Sequence, residues 1–257
     1  MRALRDTWTM TKRSLRHIVR SPDTIITVVL SPVALLLMFV YVLGGALGRQ
    51  TGSITYVDFI TPGIIIMTIV SGIAYAAVRL NTDIQKGIIN RFRTMPVAPS
   101  SILTGQALSS TLSNLFSSCL VLAIAVAIGF RTSAGPSEWL LFVGLVTLFT
   151  LATTWMAIYF GLRAKSAEGA GSFSYILILL IFISPSFVPT ASMTPVLRGF
   201  AENQPFTPII ETMRSLLTLG VPGPRVWWAL LWSAGIFVAM YVLSIRQFKR
   251  LSFVHNG

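Results

Sequence analysis

A chain of 257 residues in which 54% are apolar and only 11% charged could not stay in solution as a globular domain, which makes this the sequence of an integral membrane protein. The formal net charge of +12 would suit nucleic acid, but the basic residues stand in short stretches between apolar runs, the pattern of retention on the cytoplasmic side of a bilayer, so no nucleic acid is expected as a partner. The single cysteine, Cys119, lies inside an apolar run, so it forms neither an intramolecular disulfide nor a thiolate metal cluster and is expected to pack as a small hydrophobe.

Residues 1–23 place Leu4, Trp8, Leu15, Ile18 and Val19 near helical spacing with Arg5, Lys12, Arg13, Arg16 and Arg20 mainly between them. This predicts an amphipathic helix lying on the membrane surface. A secretory signal is the competing reading, because Gly44, Gly45 and Ala46 imitate a cleavage site, but the basic region is too long and the apolar run after it spans a bilayer. Asp23 is placed to cap the first span, 24–47, and Pro32 within that span predicts a bend covered by neighbouring helices. The second span is predicted over 58–80, with Pro62 and Gly63 early in it.

Residues 81–101 then form a predicted cytoplasmic loop containing a short basic helix. Ile84, Ile88, Phe92 and Met95 fall on one helical face, while Lys86, Arg91 and Arg93 fall on others, and Pro96 ends the helix. Two readings stand: a helix resting on lipid headgroups, or a docking site for a cytoplasmic partner.

The third span, 103–130, carries Gln106, Ser109, Ser110, Ser113, Asn114, Ser117 and Ser118 as one polar stripe. Small polar residues let helix backbones approach and hydrogen-bond across an interface; lining of a transport path is the alternative for Ser110, Ser113, Asn114 and Ser117. The fourth span, 138–162, clusters Thr147, Thr150, Thr153 and Thr154, and a brief turn leads to the fifth, 169–187. Residues 188–224 form the second informative stretch, proline-rich, with two apolar segments, 194–202 and 208–219, too short to span. They predict re-entrant helices on the extracytoplasmic side, with Pro195, Pro205 and Pro208 punctuating them, Glu202 at the end of the first, and Glu211 and Arg214 spaced to pair on the second. The sixth span is predicted over 226–245, with Trp227, Trp228 and Trp232 as an interface anchor. Six spans with both termini in the cytoplasm place fifteen of the twenty basic residues inside, so the expected fold is all-α, in one multi-pass membrane domain.

By these spans every acidic residue lies in a loop or at a helix end, and both histidines, His17 and His255, are near the chain ends. That leaves a proton relay or an intramembrane hydrolase without its base. No G-x-x-x-x-G-K-[S/T] phosphate loop occurs, so the chain is not expected to be an enzyme or to bind a cofactor or metal, and a transporter built this way draws its energy from another subunit.

Three stretches carry a family resemblance: SPDTIITVVLSPVALLLMFVYVLGGALG; YVDFITPGIIIMTIVSGIAY leading into DIQKGIINRFRTMPVAPSSILTGQ; and SPSFVPTASMTPVLRGFAENQPFTPIIETMRSLL. In this order, with six spans, the chain resembles the type-2 ABC exporter permeases, in particular those of daunorubicin-resistance and related antibiotic or lipid exporters. Asn81 and Lys86 stand where the resemblance implies more acidic character. The resemblance implies six membrane helices behind a surface helix, in a plasma-membrane transporter of two such subunits. It implies that the loop around Asp83, Ile84, Ile88, Arg91, Phe92, Arg93 and Met95 is a coupling helix seated on a separate cytoplasmic ABC ATPase that holds ATP and Mg²⁺. It implies, further, that the proline-rich region closes the exit. Expected cargo is a hydrophobic or amphipathic drug, polyketide or lipid; export of a polysaccharide or lipid-linked glycan, or a membrane channel or scaffold outside the ABC class, are the alternatives.

Overall fold

The computed structural model describes residues 30–48, 54–87 and 99–253. The surface helix predicted over residues 1–23 and the Asp23 cap lie outside the described residues. Among the described residues the chain is helical and contains no strand. We number the helices α1 (Ser31–Leu47), α2 (Tyr56–Gln85), α3 (Pro99–Ala127), α4 (Pro136–Arg163), α5 (Ala167–Phe182), α6 (Pro195–Asn203), α7 (Phe206–Arg214) and α8 (Val226–Phe253). Four of them, α2, α3, α4 and α8, are long and apolar enough to cross a membrane; α1 and α5 are shorter apolar helices.

α2 is the axis of the bundle. Thr55 starts it in an extended conformation, its hydroxyl accepting from the Asp58 N–H and donating to the Asp58 carboxylate, a cap that satisfies an otherwise orphaned donor. Pro62 removes one intrahelical bond without ending the helix, as neighbouring helices allow. Ile60, Ile64, Ile66, Ile69, Val70 and Ile73 are fully buried, so this helix is apolar all round because protein surrounds it. α1, α3, α4, α5 and α7 all pack on it, whereas α8 lies outside, along α4, with Ser244 donating to the Trp155 carbonyl at 3.1 Å.

α2 and α3 run antiparallel, as do α3 and α4, while α8 runs parallel to α4, so the molecule has two ends, named here by the two ends of α2. The Thr55 end gathers the 128–135 turn and residues 183–225; the Gln85 end gathers the start of α3, the α4–α5 turn and the C-terminal part of α8. α1 changes from α to π geometry over Met38–Leu43 after Pro32 at its first turn, and α5 is interrupted at Ser172, between Ala167–Gly171 and Phe173–Phe182. The two short segments expected over 194–202 and 208–219 are helical, as α6 and as α7 with its π continuation Ser215–Leu219.

Several boundaries differ from expectation: α3 starts at Pro99 and not at 103, and α5 ends at Phe182 and not at 187. α2 continues past Leu80 through Asn81–Gln85, five residues expected in the loop, and closes where Gly87 takes the left-handed φ of +68°. α8 reaches Phe253, beyond the expected end at 245.

Candidate functional site

The left-handed turn at Gly87 falls within the expected docking stretch, between Ile84 and Ile88. Asp83 and Ile84 belong to the last turn of α2, and Ile84, half-buried, packs on a cluster of Leu80, Leu103, Trp155, Leu162 and Phe248. Ile88, Arg91, Phe92, Arg93 and Met95 lie outside the described residues.

What the structure does build at this end is an amide clamp. Asn81, 2% exposed, donates both Nδ2 hydrogens to the C-terminal end of α4, at 3.0 Å to Gly161 O and 2.7 Å to Ala164 O. These carbonyls stand at a helix end, where intrahelical donors run out. Asn81 Oδ1 accepts from Gln85 Nε2 at 2.9 Å, and the same Gln85 nitrogen reaches Lys165 O at 3.1 Å.

The polar stripe of α3 faces protein. Ser110, Asn114 and Ser117 are buried and Ser113 is half-buried. Ser113 and Asn114 bond back to the Ser109 and Ser110 carbonyls. A Cβ built on Gly72 of α2 would stand 1.8 Å from Asn114 Oδ1, so α2 and α3 approach each other here only because residue 72 has no side chain. Thr111 Oγ1 lies 3.5 Å from Thr154 Oγ1, linking the stripe to the threonine cluster of α4. At Asn114 the stripe packs helices.

Between α2 and α5, near the Gln85 end, lies a cavity of about 600 Å³. Its walls include Ser71, Tyr75 and Val78 of α2 and Glu168, Ser172 and Tyr175 of α5. Among the described residues Glu168 is the only charged one lining it. Sequence reasoning missed this cavity, since its two walls are ninety residues apart; the only signal was a serine and a tyrosine one helical turn apart on each helix, Ser71 with Tyr75 and Ser172 with Tyr175.

The Thr55 end is closed by cross-ties. Pro195 begins α6 on its exposed side, Pro205 sits between α6 and α7, and Pro208 is buried within α7. Glu202 pairs with Arg198 at 2.7 Å, and the hydrogen bond from that guanidinium, followed by its charge, holds the Glu202 carboxyl below its ordinary value. Glu211 pairs with Arg225 at 3.2 Å, not with Arg214 as the three-residue spacing predicted. Arg214 is taken by other acceptors: it donates to Phe59 O at 3.0 Å and to Pro185 O, and its guanidinium carbon lies 3.8 Å above the Phe59 ring. Asp58 accepts from the Arg131 N–H at 2.9 Å, Tyr56 donates to Phe187 O at 3.3 Å, and Thr132 donates to Leu217 O at 2.8 Å.

The model of the ABC-2 type transporter family matches residues 5–218. The chain belongs to the ABC-2 type transporter family. It is 28% identical over 248 residues to the daunorubicin resistance ABC transporter permease protein DrrB1 of Streptomyces coeruleorubidus, covering 92% of this chain and 83% of that one. It is 25% identical over 246 residues to a Mycobacterium tuberculosis protein named "Probable doxorubicin resistance ABC transporter permease protein DrrC", covering 94% of this chain and 87% of that one. This ABC-2 chain is a permease subunit with apolar membrane helices, and permeases of this class act with an ATPase. The clamp, the stripe and the α2–α5 cavity are therefore features of a transport subunit.

Proposed function

We propose that this chain is the membrane half of an ATP-driven exporter that moves a hydrophobic or amphipathic compound out of the cytoplasm or the inner leaflet. In this reading α1 and α5 join the four long helices as crossings, giving six, with both termini in the cytoplasm of a cell whose plasma membrane holds the protein. The charge distribution supports that orientation. Among the described residues Arg79, Lys86, Arg163, Lys165, Arg246 and Arg250 stand at the Gln85 end against Asp83 and Glu168, whereas the other end balances Arg131, Arg198, Arg214 and Arg225 with Asp58, Glu138, Glu202 and Glu211. A separate cytoplasmic ATPase binds ATP and Mg²⁺ and seats on the loop that contains Ile88, Arg91, Phe92, Arg93 and Met95. A second permease subunit, a copy or a relative, completes the path within the lipid.

The observation that carries the choice of cargo is the α2–α5 cavity. Its volume is that of a drug-sized ligand site, its walls combine apolar surface with tyrosine and serine hydroxyls, and its one charge is negative. Such a wall takes an amphipathic molecule with a neutral or cationic head and disfavours an anionic one. The buried packing of Asn114 supports the same placement of the path, away from the α3 stripe.

Phe92→Asp puts a charge at the centre of the proposed ATPase contact. It is expected to abolish ATP-driven transport of rhodamine 6G, a cationic amphipath, into inverted vesicles while leaving membrane insertion intact. Normal transport by that variant would sink the docking role of this loop.

A further inference from the structure

We infer that Asn81, braced by Gln85, is the positioning residue through which movement of the segment after α2 reaches the wall of the α2–α5 cavity. The inference rests on the reading that an ATPase drives that segment.

Geometry carries it. Asn81 lies one helical turn before the end of α2, which leads directly into residues 88–98. Its two amide hydrogens are both spent on α4, at Gly161 O and Ala164 O, and its oxygen is spent on Gln85, whose own nitrogen holds Lys165 O. Three carbonyls of the α4–α5 junction are therefore held by two side chains of α2. The next residue, Ser166, caps α5 by accepting from the Gly169 N–H at 3.1 Å, and Glu168 and Gly169 already line the cavity. The opposite wall belongs to α2 itself, at Tyr75 and Val78. The clamp thus fixes both walls of the cavity relative to each other at its Gln85 end.

The Asn81 half of the contact is also close and buried. A Cβ built on Gly161 would stand 3.0 Å from Ala77 O, so α4 and α2 meet backbone to backbone beside the clamp. A buried amide whose hydrogen-bonding atoms are all matched has no water to exchange with, so its partners move with it or the bonds break. Displacing the end of α2 therefore drags the α4–α5 junction, and with it one wall of the cavity.

Asn81→Asp tests this. It keeps the side-chain size but sets an acceptor against two carbonyls. The full chain is reconstituted with its ATPase, and two quantities are read: rhodamine 6G transported per ATP hydrolysed, and the change in rhodamine 6G affinity when a non-hydrolysable ATP analogue binds the ATPase. A residue that only supports the fold lowers yield and thermal stability and scales hydrolysis and transport together. The clamp predicts that Asn81→Asp retains hydrolysis, loses roughly 10-fold in transport per ATP and loses the nucleotide effect on rhodamine affinity. Gln85→Ala, at an exposed residue, is expected to do the same more weakly, and it decides the question if Asn81→Asp does not fold. An unchanged ratio and an unchanged nucleotide effect in the folded variants overturn the inference. If the unaltered protein shows no nucleotide effect, the ATPase reading fails and the clamp's role falls with it; an effect present in the unaltered protein and preserved in the variants removes the clamp alone.

Discussion

The two ends of α2 are held in opposite ways. At the Thr55 end many independent ties converge: Arg214 on two carbonyls and a ring, Tyr56 on the Phe187 carbonyl, Asp58 on the Arg131 N–H, Thr132 on the Leu217 carbonyl, and Glu211 on Arg225. At the Gln85 end, among the described residues, a pair of amides holds the α4–α5 junction beside a packed apolar cluster. A distributed set of ties resists displacement, and losing one member costs stability more than it changes motion. The clamp, proposed as the joint next to the ATPase, is expected on its loss to change coupling more than stability, the reverse of what is expected at the more heavily tied end.

The largest effect on stability is expected midway between the ends. Gly72→Leu forces a side chain into the space of Asn114 and should separate α2 from α3; overpacking of this kind costs about 1–3 kcal/mol or more, read as a lower unfolding temperature and a poor yield of folded protein. Arg214→Ala should follow. It leaves the Phe59 and Pro185 carbonyls without their donor and removes the contact with the Phe59 ring, a loss of roughly 2 kcal/mol in thermal unfolding, with transport per ATP unchanged in the folded fraction. An uncoupled Arg214→Ala that is as stable as the parent would erase the contrast between the ends. Glu168→Gln sharpens it on the cavity side. It should weaken binding of tetraphenylphosphonium roughly 5-fold in detergent while leaving tetraphenylborate, of the same shape and opposite charge, no weaker.

The smallest effect belongs to the exposed Arg198–Glu202 pair on α6. Because Glu202 sits below its ordinary value in the folded chain, its contribution is present above the usual carboxylate range and is lost as pH falls through that range. Arg198→Ala should leave the unfolding temperature at neutral pH unchanged and slightly flatten its decline in acid.

Helix positions were legible wherever an apolar run is bounded by a strong local signal. Proline starts α4 and α6 close to the expected starts, and the two short segments of the 188–224 region appear close to where the prolines place them, whereas α3 starts at Pro99, ahead of the expected 103. Residues 81–85 were read as part of a loop with its own short helix and not as the end of α2; they continue α2, where Asn81 and Gln85 find acceptors at a helix end and turn eighty residues away. Spacing along one helix suggested that Glu211 pairs with Arg214, but Phe59 O and Pro185 O, brought near only by folding, claim the arginine and leave Glu211 to Arg225. The α3 stripe was recognisable as polar, yet its role at Asn114 is decided by Gly72 on another helix. The cavity was invisible for the same reason, since neither of its walls is a site alone.

The measurement that tests the central claim most directly is ATP hydrolysis by the partner ATPase in lipid, with and without this chain. The account predicts that hydrolysis rises when the permease is present, rises further with rhodamine 6G, and returns to the level of the ATPase alone with Phe92→Asp. A rate that is the same with and without the permease would contradict the assignment of this chain as the driven half of an exporter.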